Sequence, residues 1–279
     1  MIKEKITENY EKMSKTQKKI ADYILNNITA SSYYSIQQLA EQAHASEASI
    51  LRFCTFLGYK GYPDFKRQLQ ETAKEQIGIR ERLEISYQAY GEKEAGIAEI
   101  FGQDIERIKD TLENLDMDVF FKTCQEIILA RNIYILASRS AASIGRFFHY
   151  YLNMTLGNVR LIENMDQSAD SLCDIKPDDV VIGLTFRRYS RATADMYAFA
   201  HEKGAVTIGI TDSPVSPIVK NSKYYFLTDT SMPTYLDSFV APLALINAIL
   251  TEIGRNRNIE LERRLSKLDE FDKKFDIFE

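Results

Sequence analysis

The chain has 279 residues, 45% of them hydrophobic, and carries 35 Lys/Arg against 40 Asp/Glu for a net charge of −5. That length favours two domains, the hydrophobic share supports a real core, and the charge is not that of a nonspecific nucleic-acid binder. No apolar run reaches the ~20 residues that cross a bilayer, and the charged start MIKEKITENYEKMSK lacks the apolar centre of a secretory signal.

The expected compartment is therefore the cytoplasm. Cys54, Cys124 and Cys173 are too few and too scattered for a disulfide framework or a cysteine zinc site, and each is expected to be a small buried residue. Neither a cofactor nor a metal is expected. Charge is uneven: residues 1–77 hold 11 basic and 9 acidic residues, the remainder 24 and 31, which weakly favours the N-terminal part as the nucleic-acid face.

Ser14-Lys15-Thr16-Gln17 has capping-box spacing, and Ile20, Ile24 and Ile28 with Leu25 make an amphipathic helix over 15–28. Ser35-Ile36-Gln37-Gln38 repeats the box, and Ile36, Leu39, Ala40 and Ala43 define a two-turn helix. A turn at His44-Ala45 leads to a third helix capped by Ser46. There Ile50, Phe53, Cys54 and Leu57 share one face, and Gly58 stands where a helix-ending glycine belongs. Pro63 starts another helix.

Two short amphipathic helices joined by a tight turn have helix-turn-helix geometry, in which the start of the second helix meets base edges. The outward residues there are Ser46, Glu47, Ser49 and Arg52. Arg52 suits a bidentate contact to guanine; Lys60, Lys66 and Arg67 suit phosphates. Tyr59 and Tyr62 are expected to turn their hydroxyls toward the DNA backbone. The plain alternative is a helical bundle with a solvated polar face; the GYKGYPDFK extension tips the balance to DNA.

The run LAEQAHASEASILRFCTFLGYKGYPDFKRQL, residues 39–69, closely resembles the helix-turn-helix domain of the RpiR family of bacterial transcriptional regulators.

Residues 78–94 are polar and read as linker. Helical patterns resume at Ile97, Ile100, Phe101, Ile105, Ile108, Leu112 and Leu115, and again over 117–130. Strands and helices then alternate. Strands are expected at 133–137, 158–162, 179–185, 205–211 and 224–228, with helices over 141–156, 190–203 and 236–254. The fold class is thus an all-α helix-turn-helix bundle followed by an α/β domain with a parallel five-stranded sheet and helices on both faces. The division is 1–77, a linker and connecting helix over 78–106, the α/β domain over 107–255, and a helical tail over 256–279. Leu261, Leu265 and Leu268 are expected to pack that tail on its own or a partner domain.

Ligands of such sheets bind outside the carboxyl ends of the strands. The candidate ligand residues there are Ser138, Arg139 and Ser140 after the first strand, and Thr185, Arg187, Tyr189, Ser190 and Arg191 after the third. Hydroxyls and arginines at helix N-termini suit an anion such as phosphate. The end of the fourth strand, Thr211-Asp212-Ser213-Pro214, offers hydroxyls but no arginine and stays outside the candidate set.

This order of elements resembles the SIS (sugar isomerase) domain over about 107–255, the usual C-terminal partner in RpiR-type regulators. The resemblance implies a parallel sheet, a phosphorylated-sugar effector and binding loops at 138–143 and 185–193. The first loop departs from the Gly-x-Gly-x-Ser pattern, reading Ala137-Ser138-Arg139-Ser140-Ala141. The other departs from Ser-x-Ser-Gly-x-Thr, reading Thr185-Phe186-Arg187-Arg188-Tyr189-Ser190-Arg191. It is similar to an RYSR-containing subgroup.

The reading is a DNA-binding regulator controlled by a small anionic metabolite, forming a homodimer or homotetramer on a palindromic operator, with no membrane partner. The alternatives are a SIS-domain sugar-phosphate isomerase and a regulator with a decayed sensing site. His44, His149 and His201 do not lie at strand ends, and Glu163 is the best-placed carboxylate for an isomerase base.

Overall fold

The computed structural model describes residues 2–73, 83, 94–164, 169–232, 234–256 and 259–276. The chain divides into two compact units: Met1–Gly102 with Ser231–Asp237, and Gln103–Thr230 with Ser238–Glu279. The linker read over 78–94 lies outside the described residues apart from Leu83 and Glu94.

In the first unit, helix α1 (Ile2–Asn9) and a 3-10 turn occupy the charged N-terminus, where no element was expected. Ile2 and Ile6, one turn apart, are both buried and hold it in place. Helix α2 (Lys15–Asn26) starts at the predicted box: the Gln17 N–H donates to Ser14 Oγ at 3.3 Å and the Ser14 N–H to Gln17 Oε1 at 2.9 Å. It ends earlier than predicted, at Asn27, whose φ of −135° and ψ of 41° break the spiral before a single turn, α3 (Ile28–Ser31). Helix α4 (Ile36–Gln42) has the second box, helix α5 (Glu47–Phe56) starts at Ser46, and helix α6 (Tyr62–Ala73) takes Pro63 in its first turn, where the missing N–H costs nothing. Ile20, Ile24, Leu39, Ile50, Phe53, Phe65 and Leu69 form the core. The Phe53 and Phe65 rings meet edge to face at 5.8 Å.

The second unit opens with helix α7 (Glu94–Glu113), whose first turns belong to the other unit, and helix α8 (Met117–Leu129). The chain then alternates through β1 (Ile133–Ala137), α9 (Ala141–Leu156), β2 (Val159–Ile162), α10 (Ala169–Leu172), β3 (Val180–Leu184), α11 (Arg191–Glu202), β4 (Val206–Thr211) and β5 (Tyr224–Leu227). It closes with α12 (Val240–Arg255) and α13 (Ile259–Phe275). All pairings are parallel, in the order β2-β1-β3-β4-β5. The central β1 and β3 are buried throughout, as strands covered on both faces must be. One face packs α8, α9 and α12 around Phe120, Ile127, Phe148 and Ile249; the other packs α11 through Met196, Tyr197 and Ala200.

At the N-terminal edge of the sheet, fully buried Asp179 ties the entries of β1 and β3 together. Its carboxylate accepts from Arg131 Nε (3.0 Å) and Nη2, from the Asn132 N–H (3.1 Å) and Nδ2 (3.2 Å), and from the Lys176 N–H (2.9 Å). The tail helix α13 anchors through Arg264, which donates to the carbonyls of Asn153 and Met154 and so caps the C-terminus of α9. Gly157 makes room: it has φ +80°, and a Cβ there would lie 2.4 Å from Arg264 Nη1. Leu265, expected to pack, is more than a third exposed, and the Leu261 side chain is outside the described set.

Cys54 and Cys124 are buried, and burial pushes both thiols up to about 12. Cys173 is a correction: it is exposed, in the turn after α10. Among the described residues no helix is long and apolar enough to cross a membrane.

Candidate functional site

Two regions carry the candidate residues, one in each unit. In the first, α4 and α5 meet at a tight turn. The Ala45 N–H donates to the Ala40 carbonyl (2.8 Å) and the His44 N–H to that of Glu41 (3.0 Å), a Schellman closure with His44 in the left-handed region at φ 48°. Helix α5 ends the same way, with Tyr59 donating to Cys54 (3.0 Å), Gly58 to Thr55 (3.0 Å), and Gly58 at φ +84°. The ends of α4 and α5 are therefore both closed by backbone bonds.

Between them, Ile50, Phe53 and Cys54 are buried while Ser46, Glu47 and Arg52 are exposed and Ser49 half-buried. Ser46 Oγ accepts from the Ser49 N–H at 3.3 Å and lies 2.9 Å from Ser49 Oγ; Arg52 Nη2 donates to Ser49 Oγ at 3.2 Å. Of the four predicted outward residues, Ser46, Ser49 and Arg52 thus form one hydrogen-bonded chain along the helix surface. Lys60 and Arg67 are exposed and Lys66 half-buried around the exit turn.

Tyr59 and Tyr62 depart from expectation. Both are buried, and the Tyr62 hydroxyl donates inward to the Tyr34 carbonyl at 2.8 Å; burial raises both phenols above their ordinary range. The rings close the core rather than face outward. Two lysines missed by sequence reading lie nearby: Lys5 Nζ is 4.4 Å from the Tyr59 ring centre, and Lys19 Nζ reaches the His44 carbonyl at 3.5 Å. Their partners are far along the chain, so no local spacing signals them.

In the second unit the strand order places the topological switch between β1 and β3, where chains leave the sheet in opposite directions and open a crevice at the carboxyl ends. The loops 138–143 and 185–193 are the ones at that switch. Ala137 pairs with Leu184, and Leu184 with Ile210, so Ser138, Thr185 and Thr211 follow as a row of hydroxyl residues one step further on. Ser138 Oγ lies 2.8 Å from Thr193 Oγ1 on α11, and Ser190 caps α11 by accepting from the Thr193 N–H at 3.3 Å. Thr211 Oγ1 is buried without a hydrogen-bond partner.

Tyr189 reaches the end of β4. Burial first, then the neighbouring Asp212, hold its phenol well above the ordinary range, with Ser213 and Arg187 pulling the other way. Arg139 and Ser140 are exposed at the rim. Arg191 points outward: its side chain is 95% exposed and lies 3.7 Å from Asp195 one turn along α11. Ser138, Thr185, Arg187, Tyr189 and Ser190 therefore gather at the switch, while Arg191 does not.

Arg139 has φ 58° and Arg188 φ 61°. Both stand where the two loop patterns have glycine, and both take the left-handed φ that glycine adopts without steric cost. Among the described residues only four non-glycine positions have positive φ, and three of them (His44, Arg139, Arg188) are in these two regions. Strain of this kind persists where the surroundings enforce it and concentrates at functional sites.

Glu163 is held by Arg146, which donates to both carboxylate oxygens at 2.8 and 3.1 Å.

Residues 1–76 match the helix-turn-helix domain of the rpiR family, and residues 126–252 match the SIS domain. The molecule is thus a helix-turn-helix protein with a SIS domain behind it. The HTH-type transcriptional regulator HexR of Pseudomonas aeruginosa is 26% identical, covering 96% of this chain and 94% of its own; HexR of Escherichia coli K12 is 22% identical over 96% and 92%. The sugar isomerase domain of an RpiR transcription factor from Sphaerobacter thermophilus shares the fold of the second unit, with TM-score 0.59 and 26% identity over 63% of this chain and 97% of that one. The Vibrio vulnificus NanR protein, complexed with ManNAc-6P, has TM-score 0.57 and 19% identity over 99% of both chains. The chain carries an rpiR-family helix-turn-helix domain followed by a SIS domain, and both HexR relatives are HTH-type transcriptional regulators.

Proposed function

We propose that residues 1–77 bind a palindromic DNA operator and that the SIS unit senses a small anionic metabolite of the phosphorylated-sugar class. The observation that carries this reading is the pairing of a capped α5, its Arg52 bonded to Ser49, with a sheet whose switch point gathers hydroxyls and arginines on the same chain. NanR, which shares the fold, was solved with ManNAc-6P, and that ligand class is the one carried over here. The anion would lie against Ser138, Thr185, Ser190 and the N-terminus of α11, with Arg139, Arg187 and Arg188 supplying charge.

The protein acts as a homo-oligomer in the cytoplasm. Ile105 and Leu112, on the part of α7 within the SIS unit, are 52 and 60% exposed, an apolar surface suited to a second copy. Two copies would present two α5 helices to symmetric half-sites. The unit senses rather than catalyses, in keeping with relatives that are transcriptional regulators.

The test is a pair of binding experiments on duplexes selected from random DNA by the purified protein. Arg52→Ala should cost about 1–3 kcal/mol of discrimination at one base position. Arg187→Ala should weaken a phosphorylated-sugar probe more than the outward-pointing Arg191→Ala. Unchanged sequence preference in the first, or equal probe binding in the two others, refutes the corresponding assignment.

A further inference from the structure

A second polar cluster lies within the SIS unit, just beyond the carboxyl end of β5. Arg107 on α7 is 7% exposed, and its guanidinium is fully committed. Nη1 lies 2.9 Å from Asp104 Oδ1, Nη2 donates to Gln103 Oε1 at 3.3 Å, and Nε lies 3.8 Å from Asp229 Oδ2, just beyond β5. Ser238, before α12, donates its hydroxyl to Asp104 at 2.6 Å and its N–H to the Thr230 carbonyl at 2.9 Å. One guanidinium and two carboxylates thus bind three separate stretches of chain.

The positions of those stretches are what matter. The chain passes between the two units at three places: between Gly102 and Gln103, between Thr230 and Ser231, and between Asp237 and Ser238. Gln103 and Asp104 follow the first, Asp229 and Thr230 precede the second, and Ser238 follows the third. Every passage is fastened on the SIS side by the same cluster. Its other neighbour is the sheet: the Thr228 N–H, one residue before Asp229, donates to the Thr211 carbonyl at 2.9 Å. Thr211 ends β4 in the hydroxyl row with Ser138 and Thr185.

Burying an ion pair gives little stability over well-packed apolar groups, yet breaking one is costly because a charge is left stranded. We propose that the Asp104–Arg107–Asp229–Ser238 cluster is the joint through which effector occupancy at the strand ends is passed to the DNA-binding unit. It rests on the reading that the strand ends bind an effector. A shift of the β4 end would move Thr228 and Asp229, and the guanidinium would carry that shift to α7, which leads to the first unit. An effector that prefers one setting of the joint then changes DNA affinity, and DNA changes effector affinity by the same factor.

The test uses the full chain, a duplex selected from random DNA, and ManNAc-6P and glucose 6-phosphate as probes. DNA affinity is measured with and without probe, and probe affinity by calorimetry, for wild type, Arg107→Gln and the milder Ser238→Ala. In the wild type a bound probe should change DNA affinity at least about fivefold, the lower end of ordinary allosteric coupling. Both variants should keep DNA and probe affinities within about threefold of wild type and bring the coupling factor to about one for Arg107→Gln, with Ser238→Ala in between. Variants that bind the probe and retain the full coupling factor overturn the joint while leaving the effector site standing. Failure of both probes to bind the wild type overturns the effector reading, and the joint with it. If Arg107→Gln unfolds, Ser238→Ala alone decides.

Discussion

Replacing Arg139 by glycine sets the stability and the proposed sensing role of one residue against each other. Arg139 is exposed and lies at φ 58°, where a side chain costs about 1–2 kcal/mol by crowding the following carbonyl. Glycine removes that cost but gives up about 0.5–1 kcal/mol of chain entropy on folding. The net is a stabilisation of about 0–1.5 kcal/mol, which for a unit of this size corresponds to about 2 °C in Tm. Arg139→Ala keeps a Cβ in the left-handed region and should stay within about 0.5 kcal/mol of wild type. Both variants lose a guanidinium at the rim of the switch-point crevice, so both should bind a phosphorylated-sugar probe about tenfold more weakly, the scale of one charge-assisted hydrogen bond. Calorimetric melting of the full chain with and without probe reads both effects. A glycine variant that melts at or below the alanine variant refutes the strain argument; undiminished probe binding in both refutes the anion role.

Asp179→Ala removes the acceptor for five donors and leaves the Asn132 and Lys176 N–H groups unmatched at the sheet edge. At about 1–3 kcal/mol for each stranded N–H it should destabilise by about 2–4 kcal/mol, and a urea midpoint implying under about 1 kcal/mol contradicts the hub reading. Gly157→Ala puts a Cβ in the left-handed region and into Arg264, so it should lose about 1–2 kcal/mol from the backbone alone. Combined with Arg264→Ala the losses should be less than additive; strict additivity means the guanidinium does not depend on the missing Cβ.

The local signals were legible in the chain. Ser14 and Ser35 start their helices where the capping-box spacing places them, and the apolar run Ile133–Ala137 is β1 to the residue. Caps and side-chain periods act over three or four residues, so adjacent identities suffice. The helix broken at Asn27, the unexpected α1 and the inward Tyr62 were not legible, because each depends on packing against residues far away in the chain.

The same distinction runs through the sites. By itself the sequence determined the helix-turn-helix, the outward set Ser46, Glu47, Ser49 and Arg52, and the hydroxyl- and arginine-bearing loops after the first and third strands. Tertiary structure alone decided that these two loops flank the switch between β1 and β3, that Arg191 turns away while Thr193 and Thr211 turn in, and that Arg139 and Arg188 take a glycine-like backbone. It also decided that Asp104, Arg107, Asp229 and Ser238 meet. Strand order and the meeting of residues more than a hundred positions apart come from how whole elements cover a shared core, and no window of neighbouring residues contains that information.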